Sequence, residues 1–93
     1  MITVRGKDLW RGDEKIGYVE GNDIYSHTGQ KLGYVSGNHI YDRDAKKLGY
    51  LEGDFIRDTT GTQKIRIEDN HQHVGGGEIS DVHRAAIRFL LGD

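Results

Sequence analysis

Apolar and polar residues alternate along most of the chain in a pattern that returns every 16 residues. Written from Gly17, three successive copies read GYVEGNDIYSHTGQKL, GYVSGNHIYDRDAKKL and GYLEGDFIRDTTGTQKI. A shorter, degenerate copy precedes them, and the last copy has an extra residue before Ile65, so four copies of 15–17 residues cover roughly residues 2–65. A fixed short period predicts an array of equivalent structural units.

Each copy predicts one β-hairpin, because it holds two short stretches rich in Tyr, Val and Ile that are separated by turn residues. The pair Gly21-Asn22 and its equivalents favour a two-residue turn with glycine first, which is type II′. A second turn centres on Thr28-Gly29, and its counterpart one copy later is Asp44-Ala45. Because alanine tolerates a positive φ poorly, we expect that second turn to differ.

The even period keeps each repeat position on one face of the predicted sheet, because side chains alternate with period two. Across the second turn, we expect Tyr25 to face Leu32. One face is aliphatic and collects Val4, Leu9, Val19, Ile24, Val35, Ile40, Leu51 and Ile56, with Gly17, Gly33 and Gly49 between them. The other face collects Trp10, Ile16, Tyr18, Tyr25, Leu32, Tyr34, Tyr41, Leu48 and Tyr50. Since neither face is polar, each one needs to be covered.

Residues 79–92 predict a C-terminal helix. Ser80 or Asp81 can cap its first turn, Gly92 can end it, and Arg84 with Arg88 forms a polar pair of positions. The apolar stripe of this helix is spaced by three and four residues and consists of Ile79, Val82, Ala86, Phe89 and Leu90. The run of three glycines at 75–77 predicts a flexible connector that lets the helix fold back onto the sheet.

The predicted fold is therefore mainly β. It is an antiparallel β-meander of about eight strands from four hairpins, with one C-terminal helix packed across part of it. We expect a single domain over residues 1–93, divided into a hairpin-repeat sheet (2–67), a Gly-rich connector (68–78) and the helix (79–92). The helix would span about 20 Å and cover about four strands. The second face is then covered by another copy of the chain or, as the alternative, the sheet curls into a small closed β-barrel.

Composition excludes several classes of function. The 93 residues include no cysteine, which excludes disulfide scaffolds, thiolate metal sites and a cysteine nucleophile. The net charge of −2 gives no electrostatic footprint for nucleic acid. No stretch is long and apolar enough for a membrane helix, and no secretory signal follows Met1, so we expect a cytoplasmic protein without a membrane partner.

The aromatic positions are the most specific candidate site for ligand binding or for an interface: Trp10, Tyr18, Tyr25, Tyr34, Tyr41 and Tyr50. A row of such rings can stack sugars, amines or bases, or it can pack across strands and between subunits. The pair His71 and His73 falls short of a three- or four-ligand metal set. No nucleophile–base–orienter set stands out, so we predict no catalytic residues, no metal and no cofactor.

The pattern GYVxGNxIYDxxxxKLGY at Gly17–Tyr34 and Gly33–Tyr50 resembles small bacterial proteins built from short hairpin repeats, including proteins of mobile gene cassettes. The resemblance covers roughly residues 2–65 and implies a bacterial origin without an established activity. The spacing is superficially similar to choline-binding cell-wall repeats and to MORN repeats. The former are richer in tryptophan and the Tyr-x-Gly-x-Trp core of the latter is absent, so neither implies functional residues here.

These observations predict a non-catalytic binding or assembly module that forms a homo-oligomer through an apolar face of its sheet. The alternative is a protein that binds a small molecule, such as a sugar, an amine or an aromatic metabolite, on its Tyr-rich face or in a cavity. A metal-dependent enzyme around His71 and His73 is the weaker third hypothesis.

Overall fold

The computed structural model describes residues 1–59 and 64–92, which form ten strands and two helices. The first eight strands are β1 (Ile2–Arg5), β2 (Asp8–Arg11), β3 (Glu14–Glu20), β4 (Asp23–Ser26), β5 (Lys31–Ser36), β6 (His39–Asp42), β7 (Lys47–Glu52) and β8 (Phe55–Asp58). They are followed by β9 (Lys64–Arg66), α1 (Ile67–Asn70), β10 (Val74–Gly75) and α2 (Asp81–Leu91).

All ten strands belong to one sheet, in which β1 to β9 pair in chain order and antiparallel. The short strand β10 adds to the outer edge of β1 in parallel, with Ile2 opposite Val74. The predicted meander with a C-terminal helix is therefore confirmed, with β9, α1 and β10 as elements that the sequence did not predict. Among the described residues the two edge strands, β9 and β10, do not pair with each other. The sheet is not closed, and the barrel alternative is wrong.

The sheet is strongly curled around α2. Ten strands side by side at about 4.8 Å would make a flat sheet about 43 Å wide, whereas the longest dimension of the molecule is 32 Å. The helix contacts β5, β6 and β7 in the middle of the sheet and β10 at its edge. One short helix can thus fill the concave side, which we call the inner face; the convex side is the outer face.

The inner face carries the predicted aliphatic set, so this prediction is confirmed. All members of that set are buried except Leu51, which is half-buried against the core, and Ile2 and Val74 of the sheet and Ala85, Ala86 and Ile87 of α2 are buried with them. The strand glycines lie under the last turn of the helix, where a methyl group at Gly33 would be 2.8 Å from Leu90 Cδ1 and one at Gly49 2.7 Å from Phe89 Cζ. Glycine at these positions lets the helix approach the sheet closely.

A β-bulge in each of the first three copies changes part of the predicted face assignment. The register shifts between Leu9 and Trp10 and at both later equivalents, so Tyr25 lies opposite Lys31 and the predicted pair of Tyr25 with Leu32 is wrong. The bulge turns the residue after each lysine inward, and Ile16 and Leu48 pack against the core. Their prediction on the aromatic face is therefore wrong. Such bulges also increase strand bending, which agrees with the curl of the sheet.

The first turn of each hairpin forms as predicted. Gly21, Gly37 and Gly53 have φ between 58° and 59°, and the residue after each does not have a positive φ, as a type II′ turn requires. The second turn of the third copy does not differ from its counterpart, contrary to the prediction, because Ala45 adopts φ 65° where Gly29 has φ 88°. The extra residue of the fourth copy lies outside the described residues.

Helix α2 has the predicted ends. The Ser80 hydroxyl accepts a hydrogen bond from the His83 amide, and Gly92 ends the helix in the left-handed conformation. Arg84, predicted at a polar position, is instead only 6% exposed, because the curled sheet and the connector enclose the helix on several sides. Its guanidinium donates to the carbonyls of Val74 and Gly77, at 3.2 Å and 2.9 Å. None of the described helices is long and apolar enough to cross a membrane.

The connector was predicted to be flexible, but it makes specific contacts. It contains α1 and β10, and the Ile2 amide donates to the His73 carbonyl at 2.8 Å. A methyl group at Gly77 would lie 2.6 Å from Val4 Cγ1, so the backbone passes directly over the inner-face core. The three glycines therefore permit close packing.

Candidate functional site

The six predicted aromatic residues all lie on strands and are half-buried, with the tyrosines on the outer face. Two pairs of tyrosines stack across neighbouring strands. The ring centroids of Tyr18 and Tyr25 are 5.0 Å apart with an interplanar angle of 12°, and those of Tyr34 and Tyr41 are 5.1 Å apart at 17°. These pairs sit at matched positions in two hairpins, so the stacking follows directly from the repeat.

The β-bulges place a lysine over the first tyrosine of each row. The ammonium groups of Lys15, Lys31 and Lys47 lie 5.6, 4.9 and 4.8 Å from the ring centroids of Tyr18, Tyr34 and Tyr50. These distances are within the range of a cation–π interaction. The sequence shows each lysine, but a strict alternation places it on the opposite face from the tyrosine three residues later.

Within the outer face, cross-strand register aligns three equivalent sets of four residues, which we call rows. The first row is Asp8, Tyr18, Tyr25 and Lys31. The second row is Asp23, Tyr34, Tyr41 and Lys47. The third row is His39, Tyr50, Arg57 and Lys64. The first two rows share the order Asp–Tyr–Tyr–Lys, whereas the third keeps only its first tyrosine and its lysine.

The aspartate that starts each of the first two rows forms an ion pair with the lysine that covers the first tyrosine of the same row. Lys15 Nζ is 3.0 Å from Asp8 Oδ1, and Lys31 Nζ is 3.2 Å from Asp23 Oδ1. Both pairs are about 40% exposed, so each contributes little to stability. Their effect is to neutralise the lysine charge on this part of the outer face.

Of the two connector histidines, His71 contacts the start of α2. His71 Nε2 is 3.3 Å from Asp81 Oδ1, which is one contact between the connector and α2. Within residues 1–59 and 64–92 there is no group of three or more His, Cys, Asp or Glu side chains that could hold a metal ion.

His83 is a positioned polar residue that the sequence analysis did not single out. Its Nδ1 lies 2.6 Å from the Ser80 hydroxyl, and its Nε2 lies 3.0 Å from the Gly21 carbonyl oxygen. A proton on Nε2 donates to that carbonyl, which leaves Nδ1 to accept from the hydroxyl. The ring therefore ties the start of α2 to the turn of the second hairpin.

The repeated hairpins present rows of aromatic rings on the outer face. The family comparison agrees with this repeat architecture. A family model described as 4-fold beta flower protein matches residues 11–81. The chain belongs to this family. The match runs from the end of β2 to the first residue of α2 and includes the second and third rows entirely. No curated protein and no solved structure matches the chain.

As a member of the beta flower family, the chain offers two chemically distinct parts of its outer face. The first and second rows are electrically balanced and rich in stacked tyrosines. The third row carries Arg57 and Lys64 without an acidic residue of its own. The first two rows have the chemistry of an apolar contact surface, and the third row has the chemistry of an anion-binding surface.

Proposed function

We propose that the protein is a non-catalytic assembly module that associates with copies of itself through the aromatic part of its outer face. Helix α2 fills the inner face, so the aliphatic residues of the repeats form the core of the monomer and do not provide a contact surface. The observation that carries the proposal is the continuous set of half-buried tyrosines on the outer face, each tyrosine pair keeping ring surface in contact with solvent.

Tyrosine suits such an interface, because its ring supplies apolar contact area while its hydroxyl remains hydrogen-bonded to water or to a partner. The charge balance of the first two rows favours the same use, since uncompensated like charges would repel a second copy. We further propose that this role is cytoplasmic and non-enzymatic, and that the protein comes from a bacterial gene-cassette context.

The experiment is sedimentation of the wild-type protein from low to high micromolar concentration, beside the variants Tyr34→Glu and Asn38→Glu. Tyr34→Glu puts a carboxylate in the middle of the tyrosine pairs, whereas Asn38→Glu makes the same charge change at an exposed turn of the same hairpin. We expect the wild type and Asn38→Glu to form oligomers and Tyr34→Glu to be a monomer with an unchanged far-UV circular dichroism spectrum.

A wild-type protein that stays monomeric at every concentration would refute the proposal. An equal response of the two variants would also count against it, because the contact would then not involve the tyrosine pairs.

The second candidate is a small-ligand-binding protein, which the departure of the third row from the repeat favours. A ligand amine is the least suitable of the predicted ligands, since lysine ammonium groups already occupy the cation position over Tyr18, Tyr34 and Tyr50. Saturable changes in tyrosine or Trp10 fluorescence with sugars or aromatic metabolites would support this candidate.

A further inference from the structure

The third row breaks the repeat at two positions that do not face the core. His39 replaces the aspartate that starts the other rows, and Arg57 replaces their second tyrosine. In the first two rows one aspartate and one lysine cancel, whereas the third row carries the two positive charges of Arg57 and Lys64 and no aspartate. The inner-face residues of the same strands, Ile40 and Ile56, keep the repeat pattern and are buried.

Two lysines of this region lack the aspartate that pairs with their equivalents, because His39 and Phe55 stand at that position of the repeat. Lys47 covers Tyr50 as its equivalents cover their tyrosines, but the residue that would pair with its charge is His39, whose ring lies 6.4 Å from that of Tyr50. Lys64 faces Phe55 at the equivalent position, with its ammonium 3.9 Å from the ring centroid. Within the described residues neither ammonium has a carboxylate at ion-pair distance.

Arg57 lies between Tyr50 and Lys64 in the row and has unused capacity to donate hydrogen bonds. Its Nε atom is buried and makes no hydrogen bond among the described residues, and its one recorded contact there is an ion pair with Glu52 Oε1 at 3.5 Å. Because the ion pair at this nitrogen is not a hydrogen bond, the guanidinium still has donor capacity for a further polar group. The planar guanidinium is well suited to bind two oxygens of a phosphate or carboxylate group.

From these observations we infer that the third row, with Lys47 beside it, is a binding surface for a small ligand that carries two or more anionic oxygen groups. Neighbouring strands are about 4.8 Å apart, so the four positions of the row span about 14 Å. A single phosphate or carboxylate group reaches two neighbouring cations, whereas a ligand with several such groups reaches Lys47, Arg57 and Lys64 together. Glu52 and Glu68 form ion pairs with Arg57 and Arg66, at 3.5 Å and 3.7 Å.

The inference goes beyond self-association and does not depend on it, because the tyrosine pairs belong to the other two rows. It is tested by isothermal titration of the full chain with pyrophosphate, tripolyphosphate and citrate, with orthophosphate as the single-group control, all at constant ionic strength. We expect saturable binding of at least one multivalent anion and about tenfold weaker binding of orthophosphate, since it makes fewer charge-assisted contacts. The order of pyrophosphate and citrate distinguishes a phosphate from a carboxylate ligand.

The repeat itself supplies matched variants. The double variant His39→Asp/Arg57→Tyr restores the Asp–Tyr–Tyr–Lys order in the third row, and we expect it to keep its fold and lose at least about tenfold in affinity. The reciprocal variant Asp23→His/Tyr41→Arg gives the second row the composition of the third, and we expect it to gain a second site. If a restored row does not fold, Lys47→Gln/Lys64→Gln removes two cations at the surface and serves in its place.

Absence of saturable binding by any multivalent anion would overturn the inference. So would unchanged affinity in the folded loss-of-charge variant, because the anion would then bind elsewhere. Sedimentation of the same samples separates this outcome from a failure of the self-association proposal, since the oligomer tests the tyrosine pairs and the titration tests the third row.

Discussion

The turn around Ala45 stores strain that its counterpart around Gly29 does not. Both turns make the same backbone hydrogen bond, from the Gly29 amide to the Ser26 carbonyl and from the Ala45 amide to the Asp42 carbonyl, each at 3.0 Å. Ala45 nevertheless has φ 65°, which an L-residue with a side chain adopts at a cost of about 1–2 kcal/mol. Asp42 holds the turn in place, because its Oδ1 accepts from the amides of Asp44 and Lys46 at 2.9 Å.

We therefore predict that Ala45→Gly stabilises the protein. Relief of the strain contributes about 1–2 kcal/mol, and the greater entropy of glycine in the unfolded chain offsets about 0.4–1 kcal/mol of it. The expected net gain is about 0.8 kcal/mol, which corresponds to a rise in the melting temperature of about 3–6 °C for a chain of this length.

The internal repeat provides the control. Gly29→Ala introduces the same strain in the previous hairpin, and its methyl group would meet only the Tyr18 hydroxyl oxygen at 3.6 Å, an ordinary contact. We expect Gly29→Ala to lose about as much free energy of unfolding as Ala45→Gly gains. The double variant should have nearly the same free energy of unfolding as the wild type, because the two turns share no partner and their effects should add.

The measurement is thermal and denaturant unfolding, followed by circular dichroism, of the wild type and the three variants. All samples must have one protein concentration, since self-association would make the melting temperature depend on it. A loss of stability in Ala45→Gly would refute the reasoning. A stable Gly29→Ala variant would refute it as well, because it would mean that this turn tolerates a side chain without strain.

Substitutions at two further positions test how α2 sits in the curled sheet. Gly33→Ala should lower stability by about 1–3 kcal/mol, because the methyl group would collide with Leu90 and the backbone of β6; an unchanged melting curve would mean that α2 is not seated there. Arg84→Met should cost about 2–4 kcal/mol, since it leaves the Val74 and Gly77 carbonyls without their charged donor, and Arg84→Lys should not restore the loss because lysine cannot reproduce the planar fork. Amide exchange at Ile2, which is bonded to the connector, reports whether the β1–β10 edge opens in these variants; exchange as slow as in the wild type would contradict this role of Arg84.

Much of the fold could be predicted from the sequence because the repeat encodes it redundantly. The glycine-first turns, the aliphatic face and the ends of α2 each rest on local chemistry that single residues display, such as the positive φ of Gly21 or the capping hydroxyl of Ser80. Strand β10 could not be predicted, because two residues carry no periodicity and its parallel partner is far away in the chain. The burial of Arg84 depends on the curl of the sheet, which no local sequence pattern indicates.

The candidate site was predicted only in part, and the reason is the bulge. The sequence identified the six aromatic residues, but a strict alternation separates Lys31 from Tyr34 by putting them on opposite faces. One extra residue in the strand brings the two side chains together, at 4.9 Å. The rows, and with them the exceptional third row, become visible only once the register is known.

The same bulge explains why the outer face can change while the fold does not. In the first three copies the bulge bends the sheet around α2 and also places a lysine over a tyrosine. Curvature and surface chemistry therefore arise from one feature of the 16-residue unit. The positions that hold the curl in place, the buried aliphatic residues and the strand glycines, all point inward. Positions 39 and 57 point outward, so their exchange from Asp and Tyr to His and Arg alters the charge of a row without removing any core contact. A repeat built in this way can keep two rows for packing and let a third acquire a different chemistry.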